Sequence, residues 1–313
     1  MVPPTCNATN CVPNTRVTAV AVAKLLKASN IPNVLWGYSA VSLLGIDYKY
    51  PEIDIIVCRS TLKKAGNALA AAGYTRCPDA TCSTKSSDGH RHLAADEHFH
   101  SDAAHLHYNN DANNTSFAGI RLYAKGRLLW WIPDSKLQWM SNRTNDALFM
   151  TASDASIPDA DARSPTTSGT GRWEDIDPHP GAVRLLRPAA FYEALQLLMC
   201  LYFYDTEGRG GAFSEMWCGV LMCASNVAVV REVERNLGLE FRRLWRHDKV
   251  VRSEEERARE ENFYPVLRLR NRLLTGNLRQ STYVPPLPVE NREGRPQLPD
   301  LDVDPDYEST KSH

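Results

Sequence analysis

The sequence has no apolar run approaching the roughly 18 residues that a membrane-spanning helix needs, so no membrane is expected among its partners. It also has no bias of charge: 36 Lys and Arg stand against 37 Asp and Glu, for a net charge of -1. That balance excludes a globally basic nucleic-acid binder, and no DNA partner is expected, although a local basic face is still allowed. Cysteine is sparse, at 8 in 313 residues. Cys58, Cys200, Cys218 and Cys223 lie inside apolar runs, which points to buried reduced thiols and a cytoplasmic protein rather than a disulfide framework. The opening MVPPTCNATNCVPNTR has no charged stretch leading into an apolar one, so it is not read as a secretory signal. In that setting the sequons Asn7-Ala8-Thr9 and Asn142-Arg143-Thr144 carry little weight. No internal repeat is present.

What is present is enough apolar material, 43% of the chain, to bury a sizeable core. Residues 1–16 are expected to be a disordered leader. Thr18–Ser29 reads as a helix ended by Asn30 and Pro32. Val34–Trp36 reads as a short strand, Ser39–Leu44 as a helical turn ending at Gly45, and Ile53–Val57 as a buried strand. Thr61–Ala72 is an amphipathic helix stopped by Gly73. Between Asp88 and Trp131 the segments HFH, HLHY, IRLYA and RLLWWI suggest a meander of strands. Residues 151–181, rich in Ser, Thr, Asp, Pro and Gly, read as a loop or linker. The period then becomes helical over Ala189–Tyr204, Phe213–Leu237 and Leu239–Leu274. The fold class expected is α/β (α+β): a mixed sheet with flanking helices over residues 17–150, then a helical domain over 182–276. Residues 277–313, Pro-rich and acidic, are expected to be disordered.

The stretch VLWGYSAVSLLGIDYKYPEIDIIV, from Val34 to Val57, carries the chemistry. Gly37 lets a tight turn approach a ligand, with Tyr38 and the Ser39 hydroxyl beside it at a helix N-terminus that favours an anion such as phosphate. Glu52 and Asp54 are two residues apart on a strand and so share one face. Two carboxylates held together are usual oxygen ligands for Mg²⁺ beside phosphates.

This arrangement resembles the nucleotidyltransferase superfamily, whose pattern is an apolar strand, Gly-Gly or Gly-Ser, about ten residues, then acid-apolar-acid. Gly37, Ser39, Glu52 and Asp54 fall on those positions. The helix ending in Gly73-Tyr74 and the segment WWIPDSKL (Trp131 within it) also fit, and the likeness covers roughly residues 18–140. The resemblance implies a nucleotidyltransferase-like sheet and, in its metal-dependent form, Mg²⁺ on Glu52 and Asp54 with a nucleoside triphosphate as partner. The sequence departs from the pattern in Tyr38 for the second Gly and Glu52 for the first Asp. The family's metal chemistry also needs a third carboxylate from a later strand. Asp96, Glu97 and Asp102 are the candidates, none of them cleanly mid-strand.

Six of the nine histidines (His90, His92, His98, His100, His105 and His107) fall within eighteen residues, in His-x-His pairs that share a strand face. With Cys77 and Cys82 they could hold zinc. The other reading is a polar strand face lining a cleft, with His98 or His100 as acid or base. Farther on, EFRRLWRHDK mixes Arg242, Arg243 and Arg246 with Phe241 and Trp245, a pattern that can meet phosphates and stack on bases. Against that, Val229–Arg272 holds 12 Lys/Arg and 9 Asp/Glu, the near-balance of an ordinary solvated helix.

Three classes of function follow. The whole chain, with LWGYSA, PEIDIIV, the Cys-x4-Cys, the His-rich strands and RLLWWIP, resembles a fungal group of degenerate nucleotidyltransferase-like proteins, near which fungal arginine-containing cyclodipeptide synthases are placed. That resemblance implies an enzyme of secondary metabolism that takes arginine from arginyl-tRNA and a second aminoacyl-tRNA and closes a diketopiperazine, with no cofactor. Glu52 and Asp54 would then grip the substrate guanidinium, Ser39 would act as nucleophile or hydroxyl donor, and a histidine would move protons. The second class is a Mg²⁺-dependent nucleotidyltransferase acting on a small molecule, RNA or protein. The third is a non-catalytic binding protein.

Overall fold

The computed structural model describes residues 15–44, 52–78, 93–100, 119–138, 146–157, 172, 183–202, 227–250 and 264–274. Within them the chain begins with helix α1 (Thr15–Ala28), whose Ala19, Val22, Ala23 and Leu26 recur at helical spacing and are all buried. Asn30, at φ 54°, closes it in the left-handed conformation. Its N–H donates to the Lys27 carbonyl and that of Ile31 to the Leu26 carbonyl, which satisfies the last turn. The chain then enters β1 (Asn33–Trp36), α2 (Gly37–Leu43) and β2 (Glu52–Val57). A single 3₁₀ turn (Arg59–Thr61) leads into α3 (Leu62–Ala71), closed by Gly73 at φ 96° as the sequence predicts.

Four strands follow the first two: β3 (Thr75–Arg76), β4 (Glu97–His100), β5 (Gly119–Ala124) and β6 (Phe149–Thr151), and β7 (Arg184–Leu186) comes after residue 172. Among the described residues they form a seven-stranded mixed sheet in the order β3-β4-β5-β2-β1-β7-β6. β2 lies in the middle, antiparallel to β1 and parallel to β5, and all six of its residues are buried. Helices α1 and α3 cover one face, while α2 packs against β1 and β2.

Two segments differ from the sequence-based expectation. RLLWWI is not a strand. β5 ends at Ala124 and the chain turns into α4 (Lys125–Leu128), a bend and then α5 (Asp134–Leu137). Lys125 causes the reversal: its buried ammonium donates to the Ile132 carbonyl and pairs with Asp134 at 2.8 Å, so the segment folds back on itself. The sheet also does not stop at residue 150. β6 and β7 form an antiparallel ladder, and β7 docks parallel to β1, so the stretch expected to open a helical domain first completes the sheet. HLHY, Phe213–Leu237 up to Asn226, and both chain ends lie outside the described residues.

Among the described residues the helical part contains α6 (Pro188–Tyr202), α7 (Val227–Asn236), α8 (Leu239–Val250) and α9 (Tyr264–Leu274). α6 is apolar nearly all round, and α7 and α9 pack on it. One hydrophobic cluster runs from α1 and the sheet through α6 to Trp245 and Leu273. Cys58 and Cys200 are buried in it, and burial pushes both thiols above their ordinary range. Among the described residues no helix is long and apolar enough to cross a membrane.

The helices cap one another. Glu232 of α7 accepts the Ala189 N–H at the start of α6 at 3.1 Å, and Glu193 of α6 accepts the Gly238 N–H ahead of α8 at 2.8 Å. Burial, with Glu232 nearby, raises the Glu193 carboxyl from 4.5 to about 7, against the pull of the Gly238 N–H. A carboxyl raised by folding keeps a proton that the unfolded chain has lost, so its contribution is full below pH 4.5, falls between pH 4.5 and about 7 and is lowest above that. The full loss amounts to about 3 kcal/mol. Glu193→Gln keeps an acceptor for Gly238 without the charge. Urea unfolding at pH 5 and pH 8 is expected to show wild type weakening across that interval and the variant weakening much less.

Candidate functional site

The register of the sheet gathers the site. Antiparallel pairing sets Trp36 against Asp54, parallel pairing sets Asp54 against Arg121 and Glu52 against Gly119, and antiparallel pairing sets Arg121 against His98. Residues paired across strands point to the same face. Trp36, Asp54, Arg121 and His98 therefore form one row across four strands, with Glu52 two residues along from Asp54. Trp36 in turn packs at a tilt against Phe191 of α6, with ring centroids 4.9 Å apart, so the helical part packs at the β1 end of this face.

Arg121 is the centre. Its Nε donates to Asp54 Oδ1 at 2.6 Å and its Nη2 to Asp54 Oδ2 at 2.9 Å, a bidentate pair, while Nη1 lies 2.6 Å from Glu52 Oε2. The guanidinium is 0% exposed, Glu52 4% and Asp54 5%, so water screens this unit very little. The acidic pair therefore does share a face and does hold a guanidinium, but it is the protein's own. This corrects the expectation that Glu52 and Asp54 grip a substrate arginine.

Gly37 closely approaches the Asp54 side chain. At φ 67° it opens α2, and a Cβ there would sit 2.3 Å from Asp54 Oδ2. Only glycine lets the turn lie this close to the carboxylate. Tyr38 is buried in the core. The buried Ser39 hydroxyl donates to the Glu52 carbonyl at 3.0 Å, and Ser42 donates to the Ser39 carbonyl at 2.9 Å, which ties α2 to the start of β2.

No protein-family model, curated protein or solved structure matches the chain.

His98 is buried beside this unit. Its Nε2 lies 2.6 Å from where a Gly119 Cβ would be, so Gly119 makes room for the imidazole next to the strand position facing Glu52. His100 ends β4, paired with Thr75. His90, His92, His105, His107, Cys82 and Asp102 lie outside the described residues. Cys77 donates its N–H to the His98 carbonyl at 2.9 Å. Among the described residues no three His, Cys, Asp or Glu side chains group to share a metal ion.

Of the three candidate third carboxylates, the two among the described residues are occupied elsewhere. Asp96 accepts the Ala124 N–H at 2.8 Å and pairs with Arg127 at 3.1 Å. Glu97 alternates to the opposite face from His98, against Gly66 of α3, and pairs with Arg76 at 3.1 Å. The donor set thus does not fit Mg²⁺ on Glu52 and Asp54: both Asp54 oxygens and one Glu52 oxygen face a guanidinium, and the strand beside β2 offers Arg121 where a further oxygen ligand would have to stand.

The basic residues of α8 are not gathered into this row. Arg242 donates to the Leu237 carbonyl at 3.0 Å, bracing the α7–α8 corner, while Arg243 and Arg246 are exposed. The residue missed by sequence reasoning is Arg121. The signal was parity: in GIRLYA, Ile120 and Leu122 share one face, which leaves Arg121 on the other in the middle of an apolar strand. A buried arginine in that position needs carboxylates across the ladder.

Proposed function

We propose that this chain is a transferase on a nucleotidyltransferase-like scaffold, working in the cytoplasm on activated aminoacyl groups rather than on a metal-bound triphosphate. The observation that carries this reading is Arg121 seated between Glu52 and Asp54, where a nucleotide-bound Mg²⁺ would need open oxygen ligands. An aminoacyl ester of tRNA is already activated, so its transfer needs no such ion. The resemblance to fungal arginine-containing cyclodipeptide synthases supplies the substrates: arginyl-tRNA and a second aminoacyl-tRNA. The free amine of one aminoacyl group attacks the ester carbonyl of the other, an amide forms and one tRNA leaves through its ribose oxygen. The second amine then attacks the remaining ester, which closes the diketopiperazine and releases the second tRNA.

In this reading Arg121, Glu52 and Asp54 form a rigid floor, Ser39 is a positioning residue that holds the Glu52 backbone, and His98 is the nearby group able to take the proton each amine loses. The exposed Arg243 and Arg246 are the candidate contacts for the RNA backbone.

A second reading, a non-catalytic binding protein, is favoured by one specific observation, the burial of Glu52, Asp54, Ser39, His98 and Arg121 alike. Expression in a host free of such metabolites, followed by metabolite profiling, separates the two. The proposal predicts a new arginine-bearing cyclic dipeptide, which the purified protein, once supplied with already charged tRNA, also forms with EDTA present and no longer forms after RNase. Consumption of a nucleoside triphosphate that EDTA abolishes would replace it with the nucleotidyltransferase reading. No turnover in either assay would leave the binding protein.

A further inference from the structure

Glu52, Asp54 and residue 121 are fixed beside one another by the β2–β5 register, whatever reaction the protein performs. Two carboxylates side by side and away from water repel each other, and either a cation between them or a shared proton relieves the repulsion. Arg121 fills that place with three N–O approaches of 2.6, 2.9 and 2.6 Å. A divalent cation would claim the same oxygens at about 2.0–2.6 Å. The two cannot share the space, because the guanidinium lies between the oxygens and its charge repels a metal.

The unit is also held from outside. Gly37 closes on Asp54 Oδ2 from the α2 side, and Ser39 fixes the Glu52 backbone. The carboxylates consequently cannot swing apart to admit a second cation while Arg121 stays.

We infer that Arg121 is a built-in replacement for a divalent cation, and that the identity of residue 121 alone decides whether the Glu52–Asp54 pair binds a metal ion. Wild type is then indifferent to metal at this pair. Shortening residue 121 leaves a buried, preformed pair of carboxylates with a vacancy between them, which a hard oxygen-seeking cation fills. This inference concerns the charge of the pair and stands whether the acyl donor is a tRNA ester or not.

The test uses the full chain and Mn²⁺. Wild type should keep the same thermal midpoint in EDTA and in millimolar Mn²⁺. Arg121→Ser should bind one Mn²⁺ per chain, seen in water-proton relaxation, roughly tenfold or more tighter than wild type, a difference of at least about 1.4 kcal/mol. Its midpoint should rise with Mn²⁺ concentration as mass action requires. Adding Asp54→Asn to Arg121→Ser should abolish that binding. If Arg121→Ser is recovered folded only when refolded with Mn²⁺, the inference is supported by that dependence. It is overturned if wild type binds Mn²⁺ in a way that Asp54→Asn removes, if folded Arg121→Ser takes up none, or if neither Arg121→Ser nor Arg121→Asn can be refolded with Mn²⁺.

Discussion

Arg121→Met is expected to lose about 3–5 kcal/mol of stability, because it strands two carboxylates in the interior without their counter-charge. The residue is wholly buried and methionine leaves no vacancy beside the carboxylates, so neither water nor a salt ion can stand in for the guanidinium. Volume is not the cause, since methionine fills much of the same space. The control is to remove the charges together. In Glu52→Met/Asp54→Leu/Arg121→Met all three polar groups are replaced by apolar ones of similar size, and most of the lost stability should return, as for other buried ion clusters exchanged for packing. On the proposed transferase reading, activity should not return with it, because the polar floor of the site is gone. Urea unfolding of the three proteins is the measurement. A loss near zero for Arg121→Met would mean that the unit is not formed.

Gly37→Ala should be nearly as damaging, for a backbone reason. The residue sits at φ 67°, where alanine is strained, and its new methyl would fall 2.3 Å from Asp54 Oδ2. That oxygen is not free to move, being held by Arg121 at 2.9 Å. Relief requires displacing the carboxylate, the guanidinium or the start of α2, and a cost of about 2–4 kcal/mol follows from strain and contact together. Gly126→Ala is the matched control, since no atom lies within 4 Å of its Cβ position, and it should unfold with wild type. On the proposed transferase reading, cyclic dipeptide formation by Gly37→Ala should fall even at temperatures where the variant is still folded, because the damage is aimed at Asp54. Equal effects of the two substitutions would contradict this picture of the turn.

Most of the local structure around the site was legible in the sequence because short-range rules wrote it. Asn30 and Gly73 end their helices with the backbone conformations those residues favour, and the apolar run IDIIV is the buried central strand. The placement of Glu52 and Asp54 on one face follows from strand parity alone. What parity could not supply was the partner strand. Arg121 lies 67 residues beyond Asp54, and only long-range pairing brings it across the ladder. The same limit explains RLLWWI, whose alternation suits a strand until Lys125 folds it back, and β7, three residues that read as the approach to a helix until β1 and β6 flank them. The two described carboxylate candidates are kept from the site for a related reason. Asp96 and Glu97 immediately precede His98, the β4 position in the row, but each pairs with another arginine, Arg127 and Arg76.

The account rests on one interaction, the buried clasp of Arg121 on Asp54, and a double-mutant cycle measures it directly. Wild type, Asp54→Asn, Arg121→Met and the double variant are unfolded in urea at pH 7. The predicted coupling is at least about 2 kcal/mol, with the double variant no less stable than Arg121→Met alone. Losses that simply add, within about 0.5 kcal/mol, would show that the two side chains do not meet and would remove the basis for a carboxylate pair neutralised from within the fold.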